Sequence, residues 1–314
     1  MASHLAPRER AGARRAAGVV RAVVGVAVFL AGAALFMWPT FEAGVSQEEA
    51  DAVIREAAAE NEAVASEDSA AYEYLRAYNE RVRSGELVVN DPWGIGSDAE
   101  ELASVGLADG VVGSLTVPSM DVHLPIYLGS THENLERGAT LVAGTSAPLG
   151  EESSNVVLAG HRGYLTNGLF RNIESVQVGD LLQIETPWDT LVYRAVEILV
   201  VDPDDVDSVR VQEGRDLVTL LTCHPYGTTE RRYLVVFERT TDPADLAAFS
   251  EEEATADTVL PVVDAVTEAL EPSESPALVV ERWARVAGLA IMVALPVWAV
   301  AHAVRGTLRR RRAG

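Results

Sequence analysis

The chain has 314 residues, and its formal net charge of −22 comes from 47 acidic residues against 25 arginines, with no lysine. This balance argues against a nucleic-acid partner, because binding to phosphate needs basic residues. The single cysteine excludes an intramolecular disulfide and also the Cys-rich form of structural zinc site.

Two apolar segments lie near the ends of the chain. Ala22–Pro39 has 18 residues and follows five arginines, whereas Val286–Val304 has 19 residues and precedes Arg305 and four further arginines. A helix needs about this length to cross a bilayer core of roughly 30 Å, and basic residues stay on the cytoplasmic side. We therefore predict two transmembrane helices, with both basic tails in the cytoplasm and the chain between the helices outside.

Other interpretations of the two apolar segments stay open at this point. The first could be a cleaved signal peptide, although no small-x-small cleavage site follows it in FMWPTFEAG. The second could be a buried core helix, although four arginines close it. The part between them, Thr40–Glu281, carries 13 Arg and 46 Asp plus Glu, which gives this part a net charge of −33.

The segment Ser46–Ser84 is rich in Ala and Glu and contains no Pro or Gly. Ser46 precedes Glu49 at the spacing of a capping box, and the segment has acidic residues early and two arginines late, as the helix dipole favours. We predict one or two helices that end near Gly85, and we interpret them as a solvated spacer. The stretch that follows, 86–109, is rich in turn residues and is predicted to be irregular.

Short β-branched apolar runs, separated by turn residues, fill the stretch 110–239. Seven or eight runs at this spacing are typical of a closed or nearly closed β-barrel, and about 130 residues suffice for one core. We predict a mainly β fold with about eight strands and short helices, one of them over Gly168–Val176. The acidic stretch up to about Pro276 should contain two helical patches and link the barrel to the second apolar segment. The runs are GSLTVP, VHLPIYL, NVVLAGH, DLLQIET, TLVYRAVEILVVD, LVTLLTC and YLVVFER.

Three residues that can carry chemistry stand at the ends of predicted strands: His161 after NVVLAG, Cys223 after LVTLLT, and Arg232 at the start of RYLVVFE. Groups at adjacent strand ends fall within reach, because neighbouring strands lie about 4.8 Å apart. A free thiol has a pKa of about 8.5, which a neighbouring imidazolium or guanidinium lowers. Cys223 would then be a nucleophile, His161 a proton donor or acceptor, and Arg232 a hydrogen-bond donor to a developing oxyanion.

The same residues have simpler interpretations, and spacing alone does not decide between them. A lone cysteine in a β-run is often an inert buried hydrophobe, a histidine at a strand end is often a turn residue, and an arginine can be an edge charge that blocks aggregation. Arg162, His224 and Arg231 adjoin the three candidates and compete for their roles. A metal bound by Cys223, His161 and His224 is a further alternative, which the awkward chelation by adjacent Cys and His disfavours.

Three motifs surround the candidate residues: TLLTC at Thr219–Cys223, PYG shortly after it with Arg232 nine residues beyond the cysteine, and GHRG around His161. These motifs resemble those of the sortases, the membrane-anchored cysteine transpeptidases of Gram-positive surfaces. The family signature TLxTC matches Thr219–Cys223, with Thr219 and Thr222 as its supporting residues. The catalytic histidine matches His161, and the pattern TCxPYGxxxxR places the catalytic arginine at Arg232. The resemblance covers roughly residues 91–239 and implies the sortase β-barrel.

Two further features resemble class C, the pilus-assembling group of that family. One is an apolar segment at each end of the chain, and the other is DPW, Asp91-Pro92-Trp93, upstream of the barrel. In class C such a motif forms a lid over the active site; in another context DPW would be an ordinary turn with a packing Trp. Asp91 can pair with an active-site arginine, Pro92 fixes the turn, and Trp93 can cover the thiol. The chain departs from the class at His224, where Thr is common, and at Arg231, where His is common.

The resemblance implies a transpeptidase that needs neither metal nor organic cofactor. The enzyme would cleave an LPxTG-like sorting signal of a pilin between Thr and Gly, form a thioacyl intermediate on Cys223 and pass it to a lysine amine of the next pilin. It would lie in the cell membrane of a Gram-positive bacterium with its barrel outside. Two alternatives stay open: a sortase that attaches surface proteins to peptidoglycan, and a catalytically idle, membrane-tethered binding protein with a buried Cys223.

The chain is therefore predicted to divide into eight segments. They are a cytoplasmic basic tail (1–21), a transmembrane helix (22–39), an extracellular helical spacer (40–90), a lid segment (91–109), the sortase barrel (110–239), an acidic linker (240–285), a second transmembrane helix (286–304) and a second cytoplasmic tail (305–314).

Overall fold

The computed structural model describes most of the region between the two apolar segments. Contacts divide the chain into two units, Met1–Glu42 with Trp283–Gly314 and Ala43–Arg282. The few described residues of the first unit are helical, and every element named below belongs to the second. The described residues are 25–26, 29–30, 47–89, 102, 105–162, 169–248, 270, 276, 279–280, 282–284, 286–288, 290 and 294.

Several predicted features fall wholly or mostly outside these residues. They include the proposed lid, Asp91-Pro92-Trp93, and nearly all of the two predicted transmembrane segments, 22–39 and 286–304. Within the part of the chain that is described, no helix combines the length and the apolar character that a membrane span requires.

Eight strands close into one barrel, which confirms the predicted mainly β fold. Their order around the barrel is β1-β2-β3-β4-β7-β8-β6-β5, and β5 pairs back with β1. Seven strands coincide with the seven apolar runs, whereas the three-residue β3 is too short to show a period in the sequence. The strands are β1 (Val111–Val117), β2 (Val122–Tyr127), β3 (Ala139–Leu141), β4 (Ser154–Ala159), β5 (Leu181–Glu185), β6 (Thr190–Val201), β7 (Asp216–His224) and β8 (Arg231–Arg239).

Side chains alternate between two apolar cores along the strands, as the strand period of two requires. The inner core takes residues from all the strands, including Val218 and Leu220 of β7, so it fills the barrel. The outer core takes the alternate residues of β4, β7 and β8, such as Leu221 of β7 and Leu234 of β8, with Leu199 and Val201 of β6 packed against them. β4 is buried along its whole length because both of its faces are covered.

The helices before the barrel pack against it, which corrects the interpretation of this segment as a solvated spacer. Helix α1 covers residues 47–61 and is followed by a short 3-10 turn at Glu62–Val64. Ala57 of α1 packs against β1, and the Asn61 side chain donates a hydrogen bond to the carbonyl of Val111 at 3.0 Å. The sequence suggested a spacer because its many Glu residues occupy the solvent-facing positions.

Helix α2 (Ala70–Arg83) closes one end of the barrel. Ser69 caps its N-terminus by accepting a hydrogen bond from the backbone N–H of Tyr72, a common way to satisfy the first turn. The buried residues recur at helical spacing, as Ala71, Leu75, Tyr78 and Val82, and all four belong to the inner core. The apolar face of α2 therefore covers the inner core at the barrel end where β4 and β7 begin.

The opposite barrel end is closed by the segment 169–176. Leu169, Phe170, Ile173 and Val176 of this segment belong to the inner core. The predicted helix over Gly168–Val176 is wrong for the described residues 169–176, which form turns and one 3-10 turn at Ile173–Ser175. Two further short helices are α3 (His132–Arg137) and α4 over residues 243–248.

A buried carboxylate lies near the barrel end that α2 covers. Asp216, at the start of β7, is 8% exposed and accepts hydrogen bonds from the hydroxyls of Tyr193 at 3.2 Å and Ser154 at 3.3 Å. Burial raises the pKa of Asp216 from 3.8 to about 6, although Arg239 and the two hydroxyls act to lower it. The folded barrel therefore favours the protonated form of Asp216 more than the unfolded chain does, and the carboxyl ionises only as the pH rises through about 6.

We expect this carboxylate to make the barrel less stable as the pH rises. A folded-state pKa above the unfolded value gives stability at low pH that is lost as the pH rises through about 6, by up to about 3 kcal/mol for a two-unit shift. Chemical denaturation of the full chain in detergent, between pH 4 and pH 7, should show this fall in the free energy of unfolding. In Asp216→Asn the free energy of unfolding should depend less on pH. Asp204→Asn, which neutralises an exposed carboxylate, is the matched control; the expectation fails if both variants keep the wild-type slope.

Candidate active site

The strand order brings the ends of three strands to the same rim of the barrel. β4 and β7 are parallel neighbours, so both finish at this rim, and β8 runs antiparallel to β7, so it begins there. The predicted residues His161, Cys223 and Arg232 lie at these three places. We refer to this end as the site rim.

Cys223 and Arg232 lie directly opposite each other in the β7–β8 pair. Directly opposed residues share one face of a sheet and have Cβ atoms about 4.5–5.5 Å apart. That face is the outer one, because Leu221 and Leu234, two residues away on each strand, belong to the outer core. The hairpin turn between the strands contains Gly227 at φ +79°, a conformation that other residues rarely adopt. The turn therefore helps to set the strand register in which the thiol of Cys223 and the guanidinium of Arg232 lie opposite each other.

The Arg232 side chain is buried and held by backbone carbonyls. Only 1% of the residue is exposed. Its Nη1 donates hydrogen bonds to the carbonyl oxygens of Thr229 at 3.0 Å and Arg231 at 2.9 Å. The guanidinium is thus oriented by the turn before β8, which suits a fixed hydrogen-bond donor.

His161 continues the line of β4 beside β7, and it is exposed at the site rim. The backbone N–H of Gly160 donates to the carbonyl of Leu221 at 3.2 Å, and the carbonyl of His161 accepts from the N–H of Phe170 at 2.9 Å. Residue 160 must be small, because a Cβ there would lie 2.8 Å from the Phe170 ring. The backbone that carries His161 is therefore anchored on both sides, while its ring faces solvent.

The two threonines of the TLLTC motif hydrogen-bond β7 to β4 and to the residue that follows β4. The Thr219 hydroxyl donates to the side-chain oxygen of Asn155 in β4 at 2.9 Å, and the Asn155 amide donates to the carbonyl of Val209 at 3.0 Å. The Thr222 hydroxyl donates to the carbonyl of Gly160 at 2.7 Å. Both hydroxyls are buried, and the second one ties the residue before Cys223 to the residue before His161.

The electrostatic environment of Cys223 differs from the sequence-based expectation. Burial raises the pKa of the Cys223 thiol, and the guanidinium groups of Arg232 and then Arg162 lower it, but burial outweighs both. The sequence suggested a pKa lowered by neighbouring cations, since it reveals the cations and not the depth of the thiol. The thiol is half-buried, so it is neither freely exposed nor fully enclosed.

Two of the competing residues form a separate buried group on the inner face of the same rim. Arg162 is ion-paired with Glu174, and its Nη1 lies 3.1 Å from Nδ1 of His224. The guanidinium of Arg162 also lies over the Tyr233 ring, 5.8 Å from its centroid, and the His224 and Tyr233 ring centroids are 5.5 Å apart. We call Arg162, Glu174, His224 and Tyr233 the mouth cluster.

Strand alternation explains why the mouth cluster is distinct from Cys223 and Arg232. His224 and Tyr233 follow Cys223 and Arg232 by one residue, so they point to the opposite face, toward the inner core. The sequence raised Arg162 and His224 as competitors, but it contained no signal for Glu174 or Tyr233. Their proximity depends on the segment 169–176 folding over the barrel end.

The third competitor, Arg231, lies at the edge of the rim. Its Nε and Nη2 donate to the carbonyls of Val201 and Val200, each at 3.2 Å, and it pairs with Asp202. Arg231 is exposed and stands opposite His224 in the β7–β8 pair, one residue out of register with Cys223. Among the described residues, no group of three or more His, Cys, Asp or Glu side chains is placed to hold a metal ion.

The profile of the sortase domain family matches residues 115–240, which include all eight strands except the first residues of β1. Among curated proteins, sortase D of Bacillus subtilis is 29% identical over 132 residues, which cover 41% of this chain and 64% of the relative. The chain thus spans a little under two thirds of the length of that relative.

Solved structures of sortases resemble a larger share of the chain. The complex of Streptococcus agalactiae sortase C1 and MTSET is 36% identical, with a TM-score of 0.51, covering 55% of this chain and 88% of the other. A structure described as sortase C1 of GBS Pilus Island 1 is 35% identical, with a TM-score of 0.53, covering 62% of this chain and 91% of the other.

Proposed function

Since this chain belongs to the sortase family, whose members are cysteine transpeptidases, we propose that it is a class C sortase that polymerises pilins. The observation that carries the proposal is the opposition of Cys223 and Arg232 across β7 and β8, with His161 at the end of neighbouring β4. The substrate would be an LPxTG-like sorting signal near the C-terminus of a pilin. The similarity to a sortase C1 of a pilus island supports the assignment to pilus assembly.

In the first half of the proposed cycle, Cys223 forms a thioester with the substrate. Because burial raises the pKa of the thiol, its proton must leave as the sulfur attacks, and His161 accepts it. The sulfur bonds to the carbonyl carbon of the substrate threonine, and the oxygen becomes an oxyanion that accepts a hydrogen bond from Arg232. The Thr–Gly bond then breaks, and His161 returns the proton to the leaving glycine amine.

In the second half, an amine resolves the thioacyl enzyme. A lysine amine of the next pilin attacks the thioester carbonyl, the Cys223 sulfur leaves as a thiolate, and an isopeptide bond forms. The proton lost by the amine passes to His161 and from there to the sulfur or to solvent. No step of this cycle calls for a metal or an organic cofactor, because the thiol, imidazole and guanidinium supply the nucleophile, the proton carrier and the oxyanion donor.

We also propose that the enzyme is held in the cell membrane of a Gram-positive bacterium by the segments 22–39 and 286–304, with both termini cytoplasmic. The charge pattern of the sequence supports this orientation, since arginines flank both apolar segments on the outer sides of the chain. The motif Asp91-Pro92-Trp93 would act as a lid over Cys223, as the sequence resemblance to class C implies.

The proposal is tested by the mass of the protein after reaction with a sorting peptide. We expect the full chain in detergent, incubated with an LPxTG peptide, to gain the mass of the peptide up to its threonine and to release the glycine fragment. The variant Asp91→Ala/Trp93→Ala should accumulate more adduct if the lid restricts access. Protein whose single thiol has been blocked with iodoacetamide is the control and should gain nothing.

Further outcomes separate the parts of the proposal. Equal adduct in both lid forms would retain the transpeptidase and reject the lid. Adduct resolved by a peptidoglycan cross-bridge amine, and not by a pilin lysine, would assign the chain to surface-protein attachment. A folded protein that gives no adduct with any peptide of a sorting-motif library would contradict the transpeptidase and favour a binding protein.

A further inference from the structure

The mouth cluster is a set of charged groups that is almost fully withdrawn from water. The side chains of Arg162 and Glu174 are 3% and 4% exposed, and that of His224 is 6% exposed. Buried charges are costly unless they are paired and hydrogen-bonded, so such a group is unusual in a barrel mouth otherwise filled by apolar side chains. The carboxylate of Glu174 is the partner that makes burial of the Arg162 guanidinium tolerable.

The contacts within the mouth cluster hold the guanidinium of Arg162 in one place. Nη1 of Arg162 lies 3.1 Å from Nδ1 of His224. The carboxylate of Glu174 lies 3.5 Å from the same Nδ1 and also pairs with Arg162. The Tyr233 ring covers one side of the guanidinium.

The mouth cluster is connected directly to the proposed catalytic residues. Arg162 follows His161 in the chain, His224 follows Cys223, and Tyr233 follows Arg232. On β7 and β8, His224 and Tyr233 therefore face the inside of the barrel, whereas their chain neighbours Cys223 and Arg232 face outward. Arg162 and His161 are carried by the same short stretch of backbone.

The charge of Arg162 also acts on the thiol. Arg232 and Arg162 are the two cations that lower the pKa of Cys223 against the effect of burial. Among the described residues, the other charged and titratable groups around this rim include His161, Glu174, His224, Tyr233, Arg171 over the Tyr226 ring, and the exposed pair of Arg231 and Asp202. Glu174 is ion-paired with Arg162, and its negative charge therefore weakens the field of Arg162 at the thiol.

We propose that Arg162, held by Glu174 and His224, is a positioning residue that supplies a second positive charge behind Cys223 and favours its thiolate. This proposal rests on the proposed function, in which Cys223 is the nucleophile. Arg162 acts from the inner face of the barrel and does not touch the substrate. Glu174 sets how strongly Arg162 acts, because it both fixes the guanidinium and offsets its charge.

The pH dependence of alkylation tests this role without any sorting substrate. The chain has one cysteine, so the rate of iodoacetamide modification of the full chain in detergent reports on Cys223 alone. We expect Arg162→Gln to move the midpoint of the rate profile upward by about one pH unit, the low end of the effect of a nearby opposite charge. The midpoint is the useful quantity, because thiolate reactivity itself changes with pKa.

Glu174→Gln is expected to move the midpoint in the opposite direction, downward, because the charge of Arg162 is then no longer offset. Arg162→Lys keeps the positive charge and should restore most of the wild-type midpoint. Arg231→Gln is the matched control, since it removes one positive charge from the exposed edge of the same rim and should leave the midpoint unchanged. A merely structural role would not give shifts of opposite sign.

Single variants that leave a buried charge unpaired can fail to fold. The double variant Arg162→Gln/Glu174→Gln removes the ion pair as a unit, and its midpoint should still rise, because the guanidinium of Arg162 is one of the two cations that lower the pKa of the thiol. Thermal melting of each protein identifies the folded variants. Folded variants whose midpoints stay at the wild-type value, or which all move in one direction, would overturn the proposal.

The peptide assay separates this proposal from the proposed function. If the midpoints shift as expected but no sorting peptide gives an adduct, Arg162 tunes the thiol of a protein that is not a transpeptidase for those signals. If adducts form but the midpoints do not move, the transpeptidase stands and Arg162 has no charge role. If adducts form and the midpoints also shift, the pH profile of kcat/KM should shift in parallel with the pH profile of alkylation.

Discussion

Replacing Cys223 with Ala is expected to abolish adduct formation and to lower kcat/KM by about 10⁶-fold, the scale of removing a nucleophile from a set of residues that act together. In the proposed cycle every product passes through a bond to the Cys223 sulfur, and there is no second thiol to replace it. The barrel should survive, because the backbone pairing of β7 with β4 and β8 does not involve the sulfur. The change should cost roughly 1 kcal/mol of stability.

The measurement is the peptide mass assay together with a thermal melt of the same protein. Wild-type protein alkylated at Cys223 provides a second route to the same loss, since it retains every other side chain. An adduct on folded Cys223→Ala protein would show that another residue carries the acyl group. The hydroxyl of Thr222 would then be the first to examine, although it is buried and donates to the carbonyl of Gly160.

Arg232→Lys should lower kcat/KM by about 10²- to 10³-fold, the loss that follows removal of one oxyanion donor. Lysine keeps the charge but not the planar fork, in which Nη1 bonds the carbonyls of Thr229 and Arg231 while a different guanidinium nitrogen can donate to the substrate. The ammonium would also be displaced from its place opposite Cys223. Steady-state kinetics with an LPxTG peptide measures the ratio of the wild-type kcat/KM to that of the variant.

Arg231→Lys is the matched control for this variant. Arg231 carries the same charge one residue earlier, but it is exposed and bonds to β6. We expect its kcat/KM to stay within about two-fold of wild type, since surface substitutions usually change energies by less than about 0.5 kcal/mol. If kcat/KM falls more in Arg231→Lys than in Arg232→Lys, the catalytic cation is Arg231 and the assignment to Arg232 is wrong.

Much of the fold was accessible from the sequence because the strands are short, apolar and bounded by turn residues. Seven apolar runs correspond to seven of the eight strands, and their spacing indicated the barrel. β3 was missed because three residues, Ala139–Leu141, cannot show an alternation. Helix α2 was predicted, but its packing was not, since its apolar stripe has only one buried residue per turn and alternates with exposed charged residues and alanines.

The candidate site was found from motifs, and its geometry came from the barrel. Spacing alone could not choose between Arg231 and Arg232, because a register shift of one residue moves every side chain of a strand to the other face. The β7–β8 register opposes Arg232 to Cys223 and Arg231 to His224. The same alternation separates His224 from Cys223, although the two residues are adjacent in the chain.

The sequence by itself determined which residues stand at strand ends, which elements form and where the charges lie, because these features follow from local patterns of a few residues. Only the tertiary structure decided that burial outweighs two guanidinium groups at Cys223 and that Glu174 pairs with Arg162 beneath it. Burial and pairing depend on contacts between segments far apart in the chain, such as 169–176 and the ends of β4, β7 and β8. No local pattern records those contacts, so they could not be predicted from one sequence.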